Sequence, residues 1–538
     1  MKQAPNTQIL TREEQAAAEI GATRFAHGTI PLTLAILLTI AGFIPLLDLL
    51  VPHQKSNTPT PTKTSVQANS GFRLPTAAEL QALEKQLESA SRLHSQFRPA
   101  IQSLLTTHLH TGSHQAILGR DHWLFYRPDI EHLTGPPFLS PAHLAKRRQS
   151  PHTQPDPLAA IRDFHRQLRD RGIQLLIVPI PSKGAIASHH LTGNPSAHPD
   201  NPSSQSFLQT LENEGITTLN LRPLFRSHQT AHPDANLYLR TDTHWTPQAM
   251  QLAASAIAKH IAPNTPPDPS PTVPLKLTHQ GDLVPMLGTD PATSARFQET
   301  AHLEQVTRGS GLWRPDPRAD VLLLGDSFAN IFSLNSMGWG ESAGLAEHLS
   351  HSINNPIDAI TRNSDGAFAT REMLAAQLAR GHDRLAGKRW VVWAFAEREL
   401  SFGNWKLVPL QTEARPSENF LELTNGTTAA FTATVAAISH VPRPNSVAYP
   451  DHLCSVHLVD ISPQTASASP INATSAIVLT WSMRNRIWTD AARWRPGDRV
   501  SLNARPWSEL EPSLGKINQS SLEDPALLAI DPLWADPN

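Results

Sequence analysis

Helix-type and strand-type patterns alternate along the middle of the chain, from about residue 115 to 412, and this alternation constrains the fold more than any other feature. Residues 156–172, DPLAAIRDFHRQLRDRG, have the spacing of an amphipathic helix that is closed by Gly172, and the apolar run 173–181 follows as a buried strand. A helix, a loop and a strand recur at 373–395, whereas 250–262 leads into a long Pro-rich connection. The pattern predicts an α/β domain with a mainly parallel sheet and helices on both faces. Ligands of such sheets bind beyond the carboxyl ends of the strands.

One strand of this predicted sheet ends in Gly-Asp-Ser. Val321 to Leu324 are apolar, Gly325 interrupts the run, and a helix-like segment follows. On such a strand-to-helix turn the hydroxyl of Ser327 lies beyond the sheet edge, near unpaired N–H groups of the new helix. This placement suits a nucleophile, but Gly-Asp-Ser is also ordinary turn and helix-capping chemistry.

Asp242 and His244, in YLRTDTHWTP, are the best partners for this serine. Two residues apart in an extended segment, both side chains project to one side. Thr246 and Pro247 then supply a helix cap and a first helical position. A serine nucleophile needs a base and a group that orients the base, and His244 and Asp242 provide both. The alternative is that Asp-Thr-His merely caps the following helix.

Composition excludes several other functions. A net charge of −2, spread without strong blocks, argues against a nucleic-acid binder. The single cysteine, Cys454, excludes an internal disulfide and a multi-cysteine metal site. Asp-x-His is able to ligate zinc, but H-E-x-x-H is missing from the sequence and pairs such as His108 and His110 have no acidic or cysteine cluster beside them. We therefore expect neither a catalytic metal nor a cofactor.

The amino-terminal region predicts a membrane anchor. Residues 29–47 contain no charge and the apolar character extends to Val51, enough for a helix across ~30 Å of hydrocarbon. The expected organisation is a cytoplasmic tail at 1–28, one transmembrane helix at 29–51, a flexible Pro/Ser/Thr-rich linker at 52–76 and a helical segment at 77–114. The enzyme part, 115–415, then lies outside the cytoplasm, in the periplasm against the inner membrane.

The carboxyl-terminal residues 416–538 carry short alternating strand-like runs separated by Pro, Asn and Gly. They predict a small all-β domain, either a barrel or a sandwich, with an OB-like barrel as one form.

Five motifs in a fixed order resemble the alginate O-acetyltransferase (AlgX/AlgJ-type) family of SGNH-hydrolase-like proteins. They are GRDHWLFYRPDIEHLTG at 119–135, LLIVPIPSKGAI at 175–186, YLRTDTHWTP at 238–247, VLLLGDSFANIF at 321–332 and RWVVWAFAERELSFGNW at 389–405. In ordinary SGNH hydrolases the Gly-Asp-Ser block comes first and an Asp-x-x-His block last. Here Asp-x-His precedes the serine with one residue between, which is the permuted order of the acetyltransferases.

The resemblance implies an extracytoplasmic O-acetyltransferase. Ser327 looks like the nucleophile that takes the acetyl group, His244 its base and Asp242 the orienting carboxylate. The acceptor is an exopolysaccharide, and a multi-pass membrane O-acyltransferase is the expected acetyl source. Weaker candidates for the oxyanion site or for substrate binding are Arg362, Asn363, Tyr238, Arg240, Trp245 and Lys183. The motifs leave two alternatives open: a carbohydrate acetylesterase with the same triad, and a non-catalytic component that binds glycans or belongs to a secretion complex.

Overall fold

A computed structural model describes residues 92–150, 153–194, 197–263, 271–363, 366–410, 419–444, 447, 449–464, 472–515 and 517–537 of the 538-residue chain. The chain divides after Ile101 into two units, and the second, Gln102–Asn538, contains the site. The expected tail, anchor and linker lie outside the described residues. Within the described ranges, no helix has both the length and the apolar character that a membrane crossing requires.

The helices are α1 Arg92–His108, α2 Arg127–Thr134, α3 Pro141–Arg148, α4 Pro157–Arg169, α5 Lys183–Ile186, α6 His189–Thr192, α7 Ser204–Asn213, α8 Leu221–Ala231, α9 Pro247–Ile261, α10 Leu283–Leu287, α11 Pro291–Ser294, α12 Ser327–Asn330, α13 Leu345–Ile353, α14 Ala369–Ala379, α15 Glu399–Phe402 and α16 Glu511–Leu514. The strands are β1 Ala116–Leu118, β2 Leu124–Tyr126, β3 Gln174–Ile180, β4 Thr217–Thr218, β5 Thr272–Gln280, β6 Gln298–Arg308, β7 Gly311–Leu312, β8 Val321–Gly325, β9 Asp358–Thr361, β10 Trp390–Ala396, β11 Ala429–Ile438, β12 His452–Pro463, β13 Ser475–Arg484, β14 Ile487–Trp488, β15 Arg499–Pro506, β16 Gln519–Ser520 and β17 Leu533–Pro537.

The central sheet has five strands in the order β4-β3-β10-β8-β9, and every neighbouring pair is parallel. Alternate residues of its strands point to opposite faces, so that Leu323 and Val392 lie in one apolar cluster and Leu322 and Val391 in another. Helix α9 packs in the first cluster and α4 in the second. The predicted parallel sheet with helices on both faces is confirmed.

The connection between α9 and β8 differs from the prediction. In place of a long irregular segment, β5, β6 and β7 form a three-stranded antiparallel sheet. The nine residues of β5 are exposed or only half-buried, so they lack the apolar run of a buried strand. Antiparallel hydrogen bonding to β6, rather than burial, defines this strand.

The carboxyl-terminal domain is a β-barrel. Its main strands close a ring in the order β11-β12-β13-β17-β15, because β15 pairs with β11 and β12 pairs with β13. Buried apolar residues such as Phe431, Val456 and Leu502 fill its interior. Of the two predicted forms, barrel and sandwich, the hydrogen bonds select the barrel.

Candidate active site

Ser327 lies on the turn between β8 and α12, at the carboxyl edge of the central sheet. The Asp326 carboxylate caps the helix by accepting the N–H of Phe328 at 2.9 Å, and it also accepts the N–H of Ala396 at 2.6 Å. The turn is therefore joined to the end of β10. A Cβ on Gly325 would lie 2.5 Å from the Cβ of Ala329, so only glycine lets the helix fold back this closely onto the strand.

The segment that carries Asp242 and His244 ends where the sequence predicts. Thr246 caps α9 by accepting the N–H of Ala249, and Pro247 is the first helical residue. His244 Nδ1 lies 2.6 Å from Asp242 Oδ1, and His244 Nε2 lies 2.8 Å from Ser327 Oγ. The fold thus brings the three residues into a continuous line of hydrogen bonds. Aspartate and histidine are both buried.

The second oxygen of the Asp242 carboxylate is held by two donors. Asp242 Oδ2 accepts from Trp339 Nε1 at 2.9 Å and from the backbone N–H of Asp282 at 3.0 Å. Burial alone would raise the pKa of Asp242, but the charge and hydrogen bond of His244, together with these two donors, hold the pKa well below its usual range. Asp242 is therefore a carboxylate with both oxygens occupied.

A second carboxyl group, Asp282, faces the same histidine. Its Oδ2 lies 3.7 Å from His244 Nδ1, and its carboxylate accepts the N–H of Thr243 at 2.7 Å and also bonds the Thr243 hydroxyl. Burial, and next the nearby Asp242 carboxylate, raise the pKa of Asp282 above its usual range. Two acidic groups therefore surround the imidazole.

Neighbouring acidic groups and burial act in opposite directions on the pKa of His244. Burial lowers the pKa of His244, but the Asp242 carboxylate, its hydrogen bond and Asp282 outweigh burial, so the pKa is raised above the ordinary 6.5. Asp242, His244 and Asp282 also have ligand atoms within 4.8 Å of one another, a spacing that suits a metal ion. The expectation of a metal-free site therefore stays a prediction.

Three of the other candidates, Tyr238, Trp245 and Lys183, are buried in the protein. Tyr238 donates its hydroxyl to the carbonyl of Pro181, and Trp245 donates Nε1 to the carbonyl of Phe328 at 3.0 Å. Lys183 is fully buried, and its Nζ donates to the carbonyls of Leu124, Arg240 and Asp242 at 2.5, 2.9 and 3.0 Å. Each of these polar groups is used inside the fold to hold the segment that carries the triad. A role of the three residues in substrate binding or in the oxyanion site stays a prediction.

The other three candidates lie near the site without contacting Ser327 in the described geometry. Arg240 is half-buried and donates Nη2 to the carbonyl of Gln298. The N–H of Arg362 donates to the carbonyl of Gly325 at 2.9 Å, but its Nε lies against the sulfur of Met373. Asn363 accepts from Asn330 through Oδ1. Their roles in substrate binding or in an oxyanion site stay predictions.

Sequence reasoning missed Asp282 and Trp339. Both reach Asp242 from segments whose local patterns do not mark them: Asp282 follows β5 and Trp339 lies in a loop before α13. Gly281, next to Asp282, was the available signal, since glycine often marks a close approach of two backbones.

Fold and site together define a class. A five-stranded parallel sheet with a serine on the turn after one strand, and an Asp-x-His segment beside it, is the arrangement of an SGNH-like acyl-transfer enzyme.

Comparison with known proteins defines the family. Residues 116–397, just over half of the chain, match the family model "SGNH hydrolase-like domain, acetyltransferase AlgX", and the chain belongs to this family. It is an SGNH-like O-acetyltransferase.

Named relatives agree with this assignment. The chain is similar to "Probable alginate O-acetylase AlgJ" of Pseudomonas aeruginosa, with 26% identity over 313 residues that cover 55% of this chain and 72% of the relative. The protein of the same name from Pseudomonas fluorescens is 26% identical over 304 residues, covering 54% of this chain and 69% of the relative. Among solved structures, the O-acetyltransferase domain of Pseudomonas putida AlgJ aligns with a TM-score of 0.39 at 23% identity, covering 54% of this chain and 93% of that one.

Proposed function

We propose that Ser327, His244 and Asp242 form the catalytic triad of an enzyme that moves acetyl groups onto hydroxyls of an exopolysaccharide. The observation that carries the proposal is the line of contacts from Asp242 Oδ1 through both nitrogens of His244 to Ser327 Oγ, 2.6 and 2.8 Å long. In this line Asp242 accepts the Nδ1 proton, which leaves Nε2 free to accept the proton of the serine hydroxyl.

In the first step, Ser327 Oγ attacks the carbonyl carbon of an acetyl donor while its proton moves to His244 Nε2. The bond between the acetyl carbon and the donor's leaving group then breaks, and the leaving group takes the proton from Nε2. The product is an acetyl ester on Ser327. The imidazolium that forms between these events is stabilised by the Asp242 carboxylate, which Trp339 and Asp282 hold in place.

In the second step, a sugar hydroxyl attacks the acetyl-serine and gives its proton to the same nitrogen. Collapse of this intermediate forms the acetylated sugar and returns the proton to Ser327 Oγ. Both steps pass through an oxyanion. The backbone N–H of Ser327, in the first turn of α12, is the donor we assign to it first, and Arg362 and Asn363 at the end of neighbouring β9 are candidates for a second.

Alginate is the acceptor we propose, because relatives of the chain carry the name alginate O-acetylase. We further propose that residues 29–51 anchor the enzyme in the inner membrane with its catalytic part in the periplasm, and that a multi-pass membrane O-acyltransferase supplies the acetyl group. The barrel of 416–538, with five strands closed in a ring, fits an OB-like module.

Transfer is tested with the full-length chain, purified in detergent and incubated with 4-nitrophenyl acetate and alginate oligosaccharides. Mass spectrometry follows acetyl-enzyme, acetate and acetylated sugar. The unmodified enzyme is expected to form acetylated sugar, and Ser327→Ala is expected to lose both this product and the acetyl-enzyme. Ser206→Ala changes an exposed serine of α7 and is the matched control.

The alternatives give different products in the same experiment. Release of acetate without acetylated sugar supports the acetylesterase. A folded protein that binds oligosaccharide but shows neither turnover nor acetyl-enzyme contradicts the catalytic proposal and supports the non-catalytic component.

A further inference from the structure

A cavity of ≈ 420 Å³ is lined in part by residues at and after the carboxyl ends of β3 and β10. Its lining includes Pro181 after β3, Glu397 after β10, and side chains of α7 and α8. The triad serine follows β8, which is the other neighbour of β10. Neighbouring strands are ~4.8 Å apart, so the ends of β3 and β8 are separated by about 10 Å.

Three polar atoms of the cavity lining have no hydrogen-bond partner among the described residues. They are Nε and Nη2 of Arg226 and the hydroxyl oxygen of Ser204, and all three atoms are buried. A buried donor without a partner destabilises the protein, and does so more strongly when the group is charged. An unpartnered guanidinium and hydroxyl on the wall of one cavity are therefore groups that a ligand would satisfy.

The neighbouring arginine is already neutralised. Arg222 Nη2 lies 2.6 Å from Glu397 Oε2 and 3.0 Å from Asp200 Oδ1, so its charge has two carboxylate partners. Arg226 forms no ion pair within the part of the chain that the structure describes, and burial together with the nearby Arg222 lowers its pKa from the ordinary value. Of the two arginines in the cavity lining, Arg226 is therefore the one whose charge is less compensated. Asp200 and Glu212 also line the cavity and offer acceptors for hydroxyl groups.

We propose that this cavity is a remote acceptor subsite, in which Arg226 binds the carboxylate of a uronate unit and Ser204 and Asp200 bind its hydroxyls. The inference rests on the proposed function, since alginate is a polymer of uronates. A planar guanidinium matches a carboxylate through two parallel hydrogen bonds, and pyranose hydroxyls suit the remaining donor and acceptor.

Binding is tested by calorimetry on the full-length chain carrying Ser327→Ala, with an alginate hexasaccharide and its carboxyl-reduced form as probes. Arg226→Gln is expected to weaken binding of the hexasaccharide at least about tenfold, because charge-assisted hydrogen bonds are lost. The carboxyl-reduced probe is expected to bind equally to both proteins. Arg169→Gln removes an arginine of α4 that is 66% exposed in its side chain and is the matched control.

A second variant, with the opposite expected effect on affinity, distinguishes the loss of a binding contact from damage to the fold. Asp200→Asn removes the repelling charge and is expected to keep or tighten hexasaccharide binding, which a damaged fold would not do. Unchanged affinity in Arg226→Gln overturns the proposal, and so does an equal loss for the carboxyl-reduced probe.

Because the titration uses an inactive variant, it decides the subsite alone, whereas acetyl transfer by the active enzyme decides the proposed function.

Discussion

The carboxyl group of Asp282 lies 3.7 Å from His244 Nδ1, the nitrogen that also contacts Asp242 at 2.6 Å. The backbone N–H of Asp282 donates to Asp242, and its carboxylate accepts from the Thr243 backbone between the two triad residues. Asp282, which lies outside the triad segment, is thus hydrogen-bonded to that segment at two positions. Its charge acts on the same imidazole that we propose as the base.

This setting predicts how activity depends on pH. The base must be neutral to accept the serine proton, and the folded pKa of His244 is raised above 6.5. Protonation therefore removes activity as pH falls through that raised value. The kcat/KM for 4-nitrophenyl acetate is expected to rise with pH, with a midpoint above 6.5. A profile that is flat between pH 5 and 8 contradicts His244 as the base.

Replacing the second carboxyl group is expected to move this midpoint. Asp282→Asn keeps an acceptor for the Thr243 N–H but removes a group that raises the pKa of His244. The midpoint of the kcat/KM profile is expected to shift to lower pH. Asp170→Asn, at an exposed aspartate after α4, should leave the profile unchanged. A shift to higher pH would show that Asp282 does not act on His244 as a negative charge.

Trp339→Phe tests the support of the Asp242 carboxylate. The change removes the Nε1–H donor to Asp242 Oδ2 while His244 and the N–H of Asp282 remain. A hydrogen bond to a charged group contributes about 1.5–3 kcal/mol. We expect kcat/KM to fall about tenfold or more. Trp313→Phe is the control, because this buried tryptophan donates to Ser350 instead, and it should lower the melting temperature with little effect on kcat/KM. Equal kinetic effects of the two variants would argue against a specific role for Trp339.

Local patterns predicted the parts of the site that local chemistry builds. Adjacent residues determine the apolar run of β8, the turn at Ser327 and the Thr246-Pro247 start of α9. The structure contains all three. The partners of Asp242 were not predictable in this way, because Asp282 and Trp339 lie 40 and 97 residues away along the chain. Such contacts depend on tertiary packing, which produces no periodic pattern of residues in the sequence.

The same limit applies to the other candidate residues near the triad. Tyr238, Trp245 and Lys183 have the residue types of a sugar-binding cleft, and the same types also serve as buried donors to backbone carbonyls. Only the fold distinguishes these uses.

Lys183→Met is therefore expected to lower the stability of the fold rather than to act directly on the catalytic reaction. Burial lowers the pKa of Lys183 to about 8, so at neutral pH the ammonium remains protonated and donates to three carbonyls. Methionine has a similar shape but leaves these acceptors with fewer donors, a loss of roughly 2–4 kcal/mol. Amide hydrogen exchange should report lower protection in β2, which contains Leu124, and in the segment that contains Arg240 and Asp242. Lys259→Met, at an exposed lysine of α9, is the control. Unchanged protection would mean that the three hydrogen bonds do not stabilise the fold.

Gly281→Ala tests whether the Asp282 segment positions the triad. A Cβ at this residue would lie 2.3 Å from the carbonyl carbon and oxygen of Thr241 and 2.5 Å from the backbone nitrogen of Asp242. No side-chain rotation relieves a contact with backbone, so the two segments must separate and Asp242 must move relative to His244. Misplacement by about 1 Å costs on the order of 100-fold in rate. We expect kcat/KM for 4-nitrophenyl acetate to fall by this amount while hydrogen exchange in the barrel stays unchanged. Gly311→Ala, whose Cβ would meet open space, is the matched control. Wild-type kcat/KM in Gly281→Ala would show that the triad tolerates this separation and that contact with the Asp282 segment does not set its geometry.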